Sequence, residues 1–156
     1  MATRSTIALE FADGTVQQVY CHWDGYLSYN GKMLQEHYSN PFILRDLIDL
    51  GDVSSLRPTI GTKHAFSQFD LPTDEVDAFK TLTKDMCTFY ARDRGEEVKV
   101  RKFKDFNDYV ANHQYEEYEY ILRSVNGVAT WFVSDHGQPY TLLLEALIKE
   151  IESEEV

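Results

Sequence analysis

The chain has 156 residues with 43% hydrophobic and 13% aromatic content, enough to bury the core of one domain of ordinary size. Its formal net charge of −11 disfavours general binding to nucleic acid or to an anionic membrane, since the long-range field repels phosphates. No apolar run reaches the roughly 18 residues of a membrane span, no secretory leader is visible, and the two cysteines, Cys21 and Cys87, form no CxxC pair, which reads as a reduced intracellular protein.

The first element is a hairpin, "STIALEFADGTVQQVYCHW", with Asp13-Gly14 as a two-residue turn. That register places Ile7, Leu9 and Phe11 on one face opposite Tyr20, Gln18 and Val16, and sends Ala8, Val19 and Cys21 to the other. The hairpin runs into "VYCHWDGY", a thiol, an imidazole, an indole, a carboxylate and two phenols within eight residues. Neighbouring side chains on a strand face opposite ways, so Cys21 and His22 do not make a nucleophilic pair. His22 and Asp24, two apart, can meet if the strand continues, and an Asp orienting a His is an acid/base arrangement as well as an ordinary structural hydrogen bond. A short helix at 31–38, "GKMLQEHY", follows. Its expected N-terminus at Asn30-Gly31-Lys32 offers an anion seat, with the rings of Tyr20, Trp23, Tyr26 and Tyr29 around it for a base to stack on. A loop pinned by its own aromatics is the alternative.

"PFILRDLIDLG" (41–51) is a helix with Asn40 as cap, Pro41 at the first position and Gly51 as stop, and with Ile43, Leu44, Leu47 and Ile48 in one stripe. Lys63 and His64 fall in a loop. A further helix covers 73–82. "MCTFYAR" and "EVKVRKF" then read as a strand pair around Gly95. On such a strand Arg92 and Arg94 aim the same way, which suits a phosphate clamp, with a solvated hairpin tip as the alternative. Residues 92–104 hold six of the fifteen basic side chains, and Lys99, Arg101 and Phe103 share a face of the second strand. A helix at 104–113 precedes a second hairpin, "YEEYEYILRSVNGVATWFVS", with Asn126-Gly127 as its turn. Tyr118, Tyr120, Leu122, Trp131 and Val133 form its core side. Ile121, Phe132 and Val128 lie opposite and call for a helix or a partner chain, an argument for a homo-oligomer. The last helix, from Pro139 to about Glu152, carries Tyr140, Leu143, Leu144, Leu147, Ile148 and Ile151 at helical spacing. Antiparallel hairpins with amphipathic helices predict an α+β single domain, helices packed on a sheet. No HxH, HExxH, GxGxxG, P-loop or GxSxG pattern occurs, so no metal or cofactor is expected.

The strings "TRSTIALEFADGTVQQVYCHWDGY", "GKMLQEHY", "LIDLGDVSSL", "YARDRGE" and "YEEYEYIL" resemble a group of small proteins common in phage genomes and some bacteria, which run TRS-I, a DG turn, YCHWDGYPE, a short helix, GDISSL and GRDRGE. The resemblance covers about the first 95 residues and the start of the second hairpin. It departs after Tyr26, where "LSYNG" replaces Pro-Glu. It implies a cytoplasmic, phage-encoded accessory protein acting in the host cytoplasm, and carries over no catalytic residue. Such proteins often act against host defence.

Together these features lead to three expectations. The first is a binder that sequesters a nucleotide-derived anion, with Arg92 and Arg94 on phosphate, Tyr20, Trp23 and Tyr26 on the base, His22 and Asp24 beside them, and Lys32 at the helix start. The second is an acidic protein-binding inhibitor or nucleic-acid mimic using Glu116, Glu117, Glu119 and the C-terminal glutamates. The third is a phosphodiesterase or nucleotide hydrolase with His22 and Asp24 as acid and base.

Overall fold

The computed structural model describes residues 2–113 and 115–154. Among them an eight-stranded sheet carries helices on both faces, an α+β architecture. Strands β1 (Ser5–Glu10) and β2 (Val16–Cys21) form the first hairpin, and β6 (Tyr118–Val125) and β7 (Val128–Asp135) the second. The other strands are β3 (Val53–Ser55), β4 (Thr88–Phe89), β5 (Arg101–Phe103) and β8 (Thr141–Leu142). The order is β4-β3-β2-β1-β6-β7-β8, with β5 also on β2. The sheet is mixed: β1 runs parallel to β6, and β2 parallel to β3.

The second hairpin has the register its sequence predicts. Asn126 and Gly127 take φ of 52° and 81°, the two left-handed residues of a type I′ turn, and Val125 pairs with Val128. The first hairpin is shifted by one. Its loop spans three residues rather than two: Gly14 N–H donates to Phe11 O at 2.9 Å, Phe11 N–H to Thr15 O at 2.8 Å, and Glu10 pairs with Val16. Asp13 holds this loop by accepting from the Thr15 amide and hydroxyl. Ile7 therefore lies opposite Val19, not Tyr20, and Ile7, Leu9, Val19 and Cys21 share a face.

That face meets Tyr120, Leu122, Trp131 and Val133 of the second hairpin and carries helices α1 (Lys32–His37), α2 (Pro41–Asp49) and α6 (Leu143–Glu154). The Asn40 side chain caps α2 by accepting from Phe42 N–H at 2.9 Å, and Leu44, Leu47 and Ile48 are buried, while Ile43 faces outward. The opposite face holds Ala8, Val16, Ile121 and Phe132 under α5 (Phe106–Asn112), whose Tyr109 is buried among them. An Asp105/Asp108 box caps α5, Asp105 accepting from Asp108 N–H and Asp108 from Lys104 N–H. The chain's own helix thus covers Ile121 and Phe132, which removes the main argument from this face for a second subunit; Val128 remains exposed at the hairpin tip. Helix α3 (Val76–Thr83) lies outside the core.

Two predicted elements differ. The "YARDR" segment is not a strand but a helical turn, α4 (Tyr90–Arg94), closed by Gly95 at φ 77°. Asp93 reaches back to accept Phe89 N–H at 2.8 Å, as an acid near a helix start does. β4 accordingly pairs with β3, and β5 with β2, rather than with each other. At the C-terminal helix, Tyr140 precedes β8 and turns to the Tyr109 side of the sheet, so only the residues from Leu143 onward form the helix. No helix among the described residues is long and apolar enough to cross a membrane.

Candidate functional site: an aromatic shoulder at the end of β2

The dense segment after Val19 divides into an inward and an outward set. Its backbone continues the sheet, with His22 N–H on Val53 O and Trp23 N–H on Ser54 O, both at 3.0 Å. Asp24 then adopts φ 57° and breaks the strand. Gly25 sits where a side chain has no room: a Cβ there would lie 2.8 Å from both Thr3 O and Ser5 Cβ. Its N–H donates to Thr3 O, and its carbonyl accepts from Tyr120 Oη at 2.7 Å. Buried Asn30 donates to Ser5 Oγ, Cys21 Sγ and Trp23 O. Burial pushes the Cys21 thiol up to about 12, which leaves it protonated and unreactive. Cys21, Gly25, Leu27, Asn30 and Gly31 are therefore architecture.

The outward set is Tyr20, His22, Trp23 and Tyr26. Tyr20 Oη and His22 Nδ1 are 2.6 Å apart, and the imidazole meets the Trp23 ring edge-on at 4.7 Å between centroids. Trp23 is 45% exposed, and Tyr26 is also open to solvent. Partial burial lowers the His22 pKa, and the nearby Arg4 guanidinium lowers it further, so the ring favours its neutral form. The predicted His22–Asp24 pair is not formed. The left-handed turn at Asp24 redirects its carboxylate to Tyr26 Oη, 3.5 Å away, while His22 Nδ1 meets Tyr20 Oη.

The predicted anion seat is corrected as well. The chain enters α1 through a π-helical turn, Leu27–Gly31, and carbonyls at and just before the turn already occupy the amides there: Asn30 N–H donates to Asp24 O, Gly31 N–H to Tyr26 O, and Lys32 N–H to Leu27 O. Lys32 itself projects into solvent. No free helix N-terminus remains at this position.

Arg92 and Arg94 part company because they sit on a helical turn. Arg92 turns inward, its side chain 12% exposed. Its Nε and Nη2 clasp the Asp93 carboxylate at 2.9 and 3.1 Å, and its remaining donors reach Ile60 O, Gly61 O and Cys87 O. Arg94 turns outward, over the rings of Phe66 and Tyr90 at 4.5 and 4.8 Å, and pairs with Glu96. Tyr90 connects it to the shoulder. Its N–H donates to Asp52 O, its side chain bonds Ser54, and its phenol is close enough to Tyr20 to help raise the Tyr20 pKa, though burial raises it more.

Three residues not singled out as ligands complete this surface. The Arg4 guanidinium draws the pKa of both Tyr20 and His22 down and the Glu116 carboxylate pushes both up, each by less than burial shifts them. The Asp52 carboxylate accepts from Tyr20 N–H at 2.9 Å and from Arg101 Nη1 at 3.3 Å. The β2–β5 register puts Arg101 opposite Gln18, hence on the Tyr20 face. The alternation of Arg101 and Phe103 announces that they share a face but not the strand they join, and nothing in the sequence announces Arg4.

Elsewhere, Glu119 is 1% exposed under the sheet, so the acidic strip of Glu116, Glu117 and Glu119 does not form a common surface. A cleft of about 780 Å³ lies at the other end of β2, between the hairpin tips and α2, and is lined mainly by apolar groups including Phe11, Phe42 and Ala129. Among the described residues no cluster of three His, Cys, Asp or Glu side chains could hold a metal ion.

The described residues thus define an α+β protein on a mixed sheet, with an aromatic shoulder bordered by guanidinium groups. No protein-family model matches the chain, and no curated protein or solved structure is significantly similar to it.

Proposed function

We propose that the protein is a non-catalytic binder that sequesters an anionic, ring-bearing small molecule of nucleotide type at the aromatic shoulder. The observation that carries this reading is the exposed Trp23 ring against His22 of the Tyr20–His22 pair, with Arg101 held on the same face through Asp52, which also accepts from Tyr20 N–H. Flat rings offer sequence-tolerant stacking to a base. Guanidinium groups offer paired donors to a phosphate. The phage-type accessory role implied by "YCHWDGY" and its neighbours accords with capture of a defence nucleotide.

A panel of cyclic and ADP-ribose-type nucleotides tests the reading by thermal shift. At a ligand concentration of about 100 Kd the stabilisation is about 2.7 kcal/mol, which raises Tm by several degrees. Trp23→Ala and Arg101→Gln abolish the shift. Absence of any shift across the panel overturns the proposal. Release of product by the wild-type protein, lost in His22→Ala, replaces it with the hydrolase reading.

A further inference from the structure

Helix α6 is apolar on two sides. Leu143, Ala146 and Leu147 face the core. Leu144, Ile148 and Ile151, at i, i+4 and i+7, form a second stripe that is 54%, 47% and 57% exposed. The stripe runs about 10 Å along the helix, two turns. Nothing else in the described chain covers it, and stripes of this kind mark interaction surfaces. Glu145 and Glu152, both exposed, follow it along its solvent side, with the exposed Lys149 the one base between them. The helix sequence, LLEALIKEIESE, carries four glutamates against one lysine.

We propose that this stripe docks a basic amphipathic helix of a partner protein, apolar side chains against Leu144, Ile148 and Ile151 and lysines or arginines against Glu145 and Glu152. Charge decides among the possible occupants. A second copy of this chain would bring the same glutamates to the same rim, on a molecule of net charge −11. An anionic lipid surface is repelled for the same reason. A cationic helix satisfies both the stripe and its rim. The inference is independent of the small-molecule reading, since the stripe includes none of the shoulder residues.

The test is a fluorescence-anisotropy titration with a labelled leucine–lysine amphipathic peptide about four turns long, alongside a leucine–glutamate peptide of the same pattern. The expected result is saturable one-to-one binding of the lysine peptide alone. Ile148→Ser and Leu144→Ser, which leave the charge unchanged, each weaken it at least about tenfold, the equivalent of removing a buried contact. Leu82→Ser, an equally exposed apolar position on α3, leaves it intact. The proposal is overturned if the lysine peptide fails to bind, if the serine variants bind as tightly as wild type, or if the glutamate peptide binds equally well. It is also overturned if sedimentation shows a dimer that Ile148→Ser dissociates, or if the protein floats with neutral phosphatidylcholine vesicles through the same residues.

Discussion

Two stretches of this chain are equally rich in chemical groups and meet opposite fates. Around Asp93 the carboxylate and the Arg92 guanidinium are turned inward. The carboxylate accepts from Phe89 N–H, His64 N–H and two nitrogens of Arg92, and Arg92 spends its other donors on carbonyls of residues 60, 61 and 87. This knot fastens the irregular segment after β3 onto α4 and satisfies backbone groups that would otherwise be buried without partners. Around Trp23 the backbone is already satisfied by β3 and by the π-helical turn, so the side chains are left over. The same residue types become structure where the backbone needs partners and surface where it does not.

The contrast can be broken most directly at Asp93. Asp93→Ala leaves Arg92 charged and unpaired in a largely buried position, and is expected to cost about 3–5 kcal/mol in urea unfolding. A loss below about 1 kcal/mol, typical of an exposed ion pair, would return Arg92 to the list of ligand candidates. Glu119 sharpens the comparison as a buried acid whose partners are an amide, a hydroxyl and an imidazole rather than a guanidinium: it accepts from Glu116 N–H at 3.2 Å, bonds Ser134 and lies 3.8 Å from His113 Nδ1. Burial raises its carboxyl from the ordinary 4.5 to about 7. The folded state therefore holds a proton that the unfolded state releases. Its contribution to stability is full below pH 4.5 and is lost as pH rises through 7, a change on the order of 3 kcal/mol. Glu119→Gln should remove that slope when stability is measured from pH 4.5 to 8 relative to wild type. Gly25→Ala forces a methyl group against Thr3 O and should cost about 1–3 kcal/mol, read as a lower denaturation midpoint. Trp23→Ala sits at the far end of the scale. Unfolding should shift by no more than about 0.5 kcal/mol, while the nucleotide-induced thermal shift disappears.

The sequence made some of this legible because certain signals are local. Asn126-Gly127 specifies a two-residue turn, and with it the facing of every side chain from Tyr118 to Val133. Asn40, Pro41 and Gly51 frame α2 in the same way. Asp13-Gly14 misled by one residue because Asp13 binds Thr15 and makes the loop three residues long, and one residue is enough to exchange the faces of β2. The Tyr20–His22 contact is independent of that shift, since an i, i+2 relation on a strand does not depend on the partner strand. Arg92 and Arg94 were misjudged because "TFYARDR" alternates like a strand, while the acid that starts α4 acts through a bond back to Phe89. The placement of Arg101 beside the shoulder rests on β5 joining β2 across more than eighty residues, which no local pattern announces.

The parallel contact of β1 with β6 has a consequence for synthesis. The partner of the first strand lies 113 residues further along, Ser5 facing Tyr118. While a ribosome is making the chain, β1 emerges early and can zip to β2, but its other edge stays open until the second hairpin leaves the exit tunnel. At about 5–20 residues per second that is an interval of roughly 6–23 seconds. During it an apolar edge bearing Ile7 and Leu9 is available to any passing strand. Fast completion, or a chaperone that shields the nascent edge, is therefore what separates a high yield of folded protein from aggregation, and moving the second hairpin closer to β1 by circular permutation should raise the folding rate by shortening that wait.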